Sequence, residues 1–103
     1  MSLRWTRTAL ADLDAIFAAI AQDRPRAAER VIMALLSLGG GLLRHPRQGR
    51  PGRLHQTREL AAPRLPYVIV YALSPSLIDV ETDVTILRVV HGAMRWPPEV
   101  PPQ

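Results

Sequence analysis

The stretch PRLPYVIVYAL, Pro63 to Leu73, ends in seven consecutive uncharged residues that begin at Tyr67. A short apolar run preceded by turn-forming prolines is typical of a strand that is buried on both faces of a sheet. This run is unusual in its context, because the chain contains thirteen arginines and no lysine. We therefore predict that it forms the central strand, and that its lack of charge bears on function.

The segments on either side of this run alternate with a period of two, which indicates further strands. RLHQTREL (53–60) alternates apolar and polar residues, and DVTILRVVHG (83–92) is predicted to place Ile86, Arg88 and Val90 together on one face. Tyr67 and Tyr71 are expected on a common face of the central strand. The intervening SPSLIDVETD (74–83) is long for a hairpin connection.

The first half of the chain predicts a short strand, MSLRWT, and then two helices. In the first helix an apolar stripe runs from Ala9 to Ile20, with Thr6 or Thr8 as its N-cap. Pro25 fits the first turn of the second helix, which His45-Pro46 ends. Gly39-Gly40-Gly41 interrupts the second helix, so either the helix is kinked there or it packs very closely against a neighbour.

These elements predict an α+β domain of order β-α-α-β-β-β, in which a helical hairpin packs on a small antiparallel sheet. We expect a single domain over residues 1–97 and a Pro-rich tail over residues 98–103. The 103 residues include no cysteine, and the uncharged runs Val31 to Leu43 and Leu65 to Ile78, of thirteen and fourteen residues, are well short of the roughly 20 that span a bilayer. A soluble, cytoplasmic protein without membrane association is expected.

Positive charge is concentrated between Arg44 and Arg64, a segment that contains six arginines and one acid, Glu59. This excess of +5 is suited to a phosphate or an acidic protein partner, although a solvated face would have the same composition. Glu59 is expected to form a cross-strand ion pair, which contributes little when it is exposed. Arg58 is interpreted either as an anion ligand or as an exposed strand residue.

The three histidines, His45, His55 and His91, have no metal-ligand spacing, so neither a metal nor a cofactor is predicted. His91 lies at the exit of the last strand, between Arg88 and Arg95. It could act as an acid or base, or serve a structural role. Arg58, His91 and Arg95 are the catalytic candidates, but no nucleophile accompanies them.

The series of motifs as a whole resembles the RelE/ParE superfamily of bacterial toxins from type II toxin–antitoxin systems. The similarity extends from Trp5 to Pro97. It includes Trp5, Ala9, Asp12, Leu13, Ile16 and Ile20, then RPRAAERV, HPRQGRPGR, TREL, PYVIVY and ILRVVHGAMRWP. The resemblance implies a small toxin that a cognate antitoxin inactivates by wrapping a C-terminal segment across its surface.

Two activities occur on this fold, and the fold alone does not choose between them. RelE-like members cleave mRNA on the ribosome with a basic catalytic set, whereas ParE-like members poison DNA gyrase. RelE-like members have an arginine after the tyrosine that begins the central strand, and here that residue is Val68. Gly92-Ala93-Met94 occupies the place of a second arginine. Loss of one such cation typically costs about 10²–10³ in rate, so the sequence favours the ParE-like branch.

We therefore predict a non-catalytic toxin that binds DNA gyrase and a cognate antitoxin. The predicted target-binding residues are Arg50, Arg53, Arg58, Arg64, Arg88, His91, Arg95 and Trp96. The first alternative is a ribosome-dependent mRNA endoribonuclease that uses Arg58, His91 and Arg95. The second is a non-toxic descendant of the family.

Overall fold

A computed structural model describes residues 2–75, 82–92 and 96. The elements, in chain order, are β1 (Leu3–Trp5), α1 (Arg7–Ala21), α2 (Pro25–Gly40), a 3₁₀ turn (Gly41–Leu43), β2 (Arg50–Pro51), β3 (Thr57–Ala61), β4 (Tyr67–Pro75) and β5 (Thr82–His91). The predicted tail at residues 98–103 and the candidate Arg95 lie outside the described residues. No helix within the described ranges is long and apolar enough to cross a bilayer.

The strands form one sheet of order β1-β5-β4-β3-β2, with β4 at its centre. The predicted α+β class and the helical hairpin on a sheet are confirmed, but the sheet is mixed rather than antiparallel. β1 runs parallel to β5, with Leu3 opposite Val84, while the other neighbours are antiparallel. The direction of β1 depends on its pairing with β5, a segment far away in the chain, and strand periodicity does not encode it.

The start of β3 differs from its prediction, because residues 53–56 form a turn rather than strand. Gln56 has a φ of 61°, outside the strand region, and the Thr57 amide donates to the Leu54 carbonyl at 3.2 Å. Only the part of the alternating segment RLHQTREL from Thr57 onward is therefore strand. The segment before it contributes β2, a two-residue strand that the sequence did not indicate.

The connection between β4 and β5 has fewer residues than predicted, and the strand pair contains a bulge. Pairing extends to Pro75 opposite Thr82, so residues 76–81, which are not described, form the connection. The register shifts between Val70 and Tyr71, whose partners are Arg88 and Ile86. An extra residue changes the alternation. The grouping of Ile86 with Arg88 and Val90 was therefore wrong: Ile86 belongs to the main core beneath the helices, and Val90 belongs to a cluster on the opposite face.

The main core lies between the helices and β4. Local sequence signals define where the two helices begin. Thr6 caps α1 by accepting from the Ala9 amide at 3.1 Å, and Pro25 occupies the first turn of α2, as predicted. Gly39 is buried, and a Cβ there would lie 2.5 Å from the Trp5 ring. Very close packing against Trp5 therefore explains the glycine at position 39. Gly40, by contrast, has open space where a side chain would lie.

The opposite face of the sheet carries a small apolar cluster. Val70, Val90 and Trp96 are buried there, and Val68 packs against them. Trp96 thus covers the open face of the sheet near its centre. This cluster and the charged groups beside it form one of the surfaces that bear on function.

Candidate target-binding surfaces

The first candidate surface is built around Glu59, which pairs with two of the predicted target-binding arginines. The Glu59 carboxylate accepts from the Arg53 amide at 2.9 Å and from Arg53 Nη2 at 3.0 Å. Arg50 Nη2 lies 3.4 Å from the same carboxylate. The expected cross-strand ion pair is confirmed, because Arg50 lies opposite Glu59 in the β2–β3 pair, but its expected exposure was wrong: Glu59 is 2% exposed. Residues 50–53, which are β2 and the two residues after it, cover the Glu59 carboxylate.

The environment of Glu59 favours its charged form. Burial by itself would raise the pKa of the carboxyl, but hydrogen bonds and the positive charge of Arg53, with a further bond from Arg50, outweigh it. The pKa of Glu59 is therefore lowered. Glu59 holds the turn that carries Arg50 and Arg53, and it neutralises part of the positive charge there.

The second surface contains Arg88, which joins β5 to α1. Arg88 Nε and Nη2 donate to the Asp12 carboxylate at 2.7 and 3.1 Å, and the Val89 amide donates to Asp12 at 2.9 Å. These bonds raise the pKa of Arg88 despite its partial burial. The guanidinium also lies 5.3 Å from the ring centroid of Trp96, a cation–π distance.

These contacts give Arg88 and Trp96 an evident role in the fold itself. The bidentate pair orients the Arg88 side chain, which in turn packs on Trp96. The Trp96 Nε1 donor is buried and has no hydrogen-bond partner among the residues that the structure describes. Their role in target binding stays a prediction.

Arg58 lies on the face of the sheet that the helices cover, opposite Tyr71. It binds the segment of residues 46–49, which follows the helices. Its Nη1 donates to the Gly49 carbonyl at 2.7 Å and to the Arg47 carbonyl at 3.4 Å. Tyr71, which is fully buried, supports the same segment: its hydroxyl donates to the Pro46 carbonyl and accepts from the Gly49 amide, both at 2.8 Å. The Arg58 guanidinium is therefore held in a defined orientation.

The remaining candidates lie near the opposite end of β4. His91 is exposed and meets the Tyr67 ring edge-on, with centroids 5.6 Å apart. Arg64 is exposed in the β3–β4 turn, with a φ of 62°. The structure therefore places Arg58 opposite Tyr71 and His91 opposite Tyr67, at different positions along β4. Arg95 lies beyond the described residues, so its relation to them stays a prediction.

Sequence reasoning missed Asp12 as the partner of Arg88, and it missed the hydroxyl of Tyr71 as a structural anchor. Asp12 is 76 residues from Arg88 in the chain, and no local pattern pairs them. The sequence did predict an ion pair at Glu59, the single acid among six arginines between residues 44 and 64, but it did not predict that the carboxylate is buried.

A helical hairpin on a five-stranded mixed sheet is the architecture of the RelE/ParE superfamily of toxins. The chain belongs to that superfamily. Within it, the model of the family described as ParE toxin of the type II toxin–antitoxin system parDE matches residues 3–96, so the chain is a member of the ParE toxin family.

Two relatives in sequence support the assignment. The protein Y4kP of Sinorhizobium fredii is 42% identical over 95 residues, which cover 92% of each chain. Toxin RelE2 of Caulobacter vibrioides is 35% identical over 89 residues, 86% of this chain and 92% of the relative. The relatives thus include a protein with a RelE name beside the ParE family match.

Solved structures show the same mixture of names. A chain of the chromosomal ParDE system from P. aeruginosa has a TM-score of 0.75 at 28% identity, covering 88% of this chain and 95% of its own. A chain of the RelBE2 toxin–antitoxin complex from Mycobacterium tuberculosis has a TM-score of 0.59 at 32% identity, covering 87% and 95%. The YoeB/ParE toxin from Agrobacterium tumefaciens, 18% identical with a TM-score of 0.59, covers 88% and 98% and shares the fold.

Proposed function

We propose that this toxin acts by binding DNA gyrase and stabilising its cleaved-DNA state, and that it catalyses no reaction itself. The observation that carries the proposal is the environment of Val68. Where the resemblance leads one to expect the arginine of a ribosome-dependent nuclease, Val68 packs with Val70, Val90 and Trp96 in an apolar cluster. This face of the sheet has a hydrophobic patch where an RNA-cleaving site would need a cation.

Three arginines that the structure describes near this patch support the same proposal, because each has a carboxylate partner. Arg50 and Arg53 bind Glu59, and Arg88 binds Asp12. A paired guanidinium has less positive charge to offer a developing phosphorane than an unpaired one. A surface of this kind is better suited to contacting a protein than to cleaving a phosphodiester.

The test is a supercoiling assay with purified gyrase and the antitoxin-free toxin. We expect supercoiling to be lost and linear DNA to accumulate in proportion to toxin. Of the predicted target-binding arginines, Arg64 is exposed and has no ion-pair partner within the described ranges, so Arg64→Gln should weaken inhibition. Arg24→Gln, an exposed arginine in the helical hairpin, is the matched control. Undiminished supercoiling by a toxin that still stops growth would refute gyrase targeting.

We also propose that a cognate antitoxin covers the helical hairpin and the sheet edge. The neighbours of known structure include toxin–antitoxin assemblies, the ParDE system and the RelBE2 complex. In this chain the hairpin exposes Leu10, Phe17, Met33 and Leu36. A mainly apolar cleft of about 330 Å³ lies beside them, between α2 and the β3–β4 turn. An amphipathic segment could bury its apolar side here.

Substitutions on α2 test this surface. Met33 is 67% exposed, so Met33→Glu should weaken antitoxin binding at least tenfold, about 1.4 kcal/mol, without unfolding the toxin. Leu54→Glu, at an exposed leucine close to the edge strand β2, tests the sheet edge in the same way. Wild-type affinity in both variants would show that the antitoxin lies elsewhere.

The ribosome-dependent nuclease is the second candidate, because two relatives have RelE names. In that case Arg58, His91 and Arg95 would supply the catalytic groups. It predicts mRNA cleavage in cells that His91→Ala or Arg58→Ala abolishes. Growth without harm after expression would instead favour the non-toxic descendant.

A further inference from the structure

The surface around Arg58, on the helix side of the sheet, contains a cleft of about 720 Å³. The cleft lies between the turn at residues 52–57 and the end of β4. Its lining includes the polar residues Arg47, His55 and Arg58 and the apolar residues Leu54, Leu73 and Pro75. Its volume is within the usual range for small-ligand sites, about 300–1,000 Å³.

The cleft differs from the other arginine clusters because it contains no acid. None of its lining residues is Asp or Glu, whereas Glu59 pairs with Arg50 and Arg53, and Asp12 pairs with Arg88. Within the described parts of the chain, no carboxylate forms an ion pair with Arg47 or Arg58. Much of the uncompensated charge of the 44–64 segment therefore lies here.

Arg58 is oriented before any ligand arrives. Both of its hydrogen bonds to the described residues are made by Nη1, to the carbonyls of Gly49 and Arg47. A guanidinium has five N–H donors in a fixed plane, so those on Nε and Nη2 are left for a ligand. Because carbonyls hold the group without neutralising it, Arg58 keeps its full charge.

The turn at the rim of the cleft is tightly constrained. Its Gly52 amide donates to the Thr57 carbonyl at 2.7 Å, and the Thr57 hydroxyl donates to the Leu54 carbonyl at 2.7 Å. Gln56 has a φ of 61°, which costs free energy for a residue with a side chain. Such strain is found disproportionately at functional sites. The same turn contributes His55 to the lining of the cleft, together with the two arginines.

We propose that this cleft binds a phosphate group of a nucleic-acid backbone. Two arginines and a histidine, contributed by separate segments, suit a tetrahedral anion that accepts hydrogen bonds from several directions better than a planar carboxylate. The apolar wall can pack against a sugar or base. The inference does not rest on gyrase as the target, because the DNA in a gyrase complex and an mRNA on the ribosome have the same phosphodiester.

The proposal is tested by fluorescence anisotropy with the full-length chain, using a labelled duplex DNA and a labelled single-stranded RNA of equal phosphate number. Arg47→Gln should weaken binding about tenfold near 0.1 M salt and lower the slope of log K against log salt by about one unit. Arg44→Gln removes the same charge three residues away, outside the cleft, and should have a much smaller effect. Arg58→Gln, checked for folding by thermal denaturation, should resemble Arg47→Gln.

The two probes also identify the source of the phosphate. A loss confined to duplex DNA assigns the cleft to DNA, and a loss confined to the single strand assigns it to RNA. Equal losses for Arg47→Gln and Arg44→Gln would overturn the proposal, because the cleft would then contribute no more than diffuse charge. Competition by polyglutamate as effective as that by a nucleic acid of equal charge would also overturn it, in favour of an acidic polypeptide.

Discussion

At the scale of single residues, the buried carboxylate of Glu59 controls both stability and charge. Glu59→Gln should reduce the free energy of unfolding at neutral pH by about 1–3 kcal/mol, because hydrogen bonds to a charged group are lost. The pKa of Glu59 is lowered in the folded protein, so the unfolded chain binds the proton more tightly. Its contribution is therefore complete above the ordinary pKa of about 4.3 and is lost as the pH falls through the lower folded value.

The measurement is urea unfolding of the wild type and Glu59→Gln from neutral pH to acid. The difference between the two proteins should shrink below about pH 4.3. Glu29→Gln, an exposed acid on α2, is the control and should leave stability within about 0.5 kcal/mol of the wild type. A difference that stays constant down to strong acid would contradict the assignment of a charged, bonded Glu59.

The distribution of charge shows which part of the candidate site could be predicted from sequence. The excess of arginine between residues 44 and 64 was visible in the composition. Which arginines remain uncompensated was not visible, because that depends on distances between residues far apart in the chain. Glu59 lies beneath Arg50 and Arg53, and Asp12 reaches Arg88 from the first helix.

At the scale of elements, adjacent glycines at the end of α2 should respond in opposite directions to alanine. A Cβ at Gly39 would lie 2.5 Å from the Trp5 ring and 2.9 Å from Ile86, so Gly39→Ala should destabilise by about 1–3 kcal/mol. Gly40 has helical backbone angles and no atom within 4 Å of an added Cβ. Gly40→Ala should therefore stabilise by about 0.4–1 kcal/mol.

Thermal denaturation of the two variants compares these sites directly. If both substitutions stabilised the protein, the close approach of α2 to β1 would be refuted. If both substitutions destabilised the protein, the result would contradict the open space at Gly40.

Local signals predicted the helices well and the sheet less completely. Thr6 and Pro25 mark helix starts through their own chemistry, so the sequence could identify them. The parallel pairing of β1 with β5 and the bulge opposite Val70 depend on contacts between distant segments. The positive φ of Gln56 delays the start of β3, and a glutamine gives no local signal for such an angle.

At the scale of the whole molecule, the two faces of the sheet have different properties. One face carries an apolar cluster, flanked by arginines that are paired with carboxylates, and the other carries an acid-free basic cleft. The family assignment fixes the class of toxin, and these two faces bear on its target. Gyrase poisoning and mRNA cleavage leave different broken molecules in the cell, so the products distinguish them.

The most direct measurement is to express the toxin without its antitoxin and to follow DNA and mRNA breaks in the same cells. We expect growth arrest with gyrase-linked linear plasmid, and transcripts whose 5′ ends match those of cells without the toxin. Codon-phased cleavage of transcripts with intact plasmid, abolished by His91→Ala, would contradict it. Unimpaired growth would contradict toxicity itself.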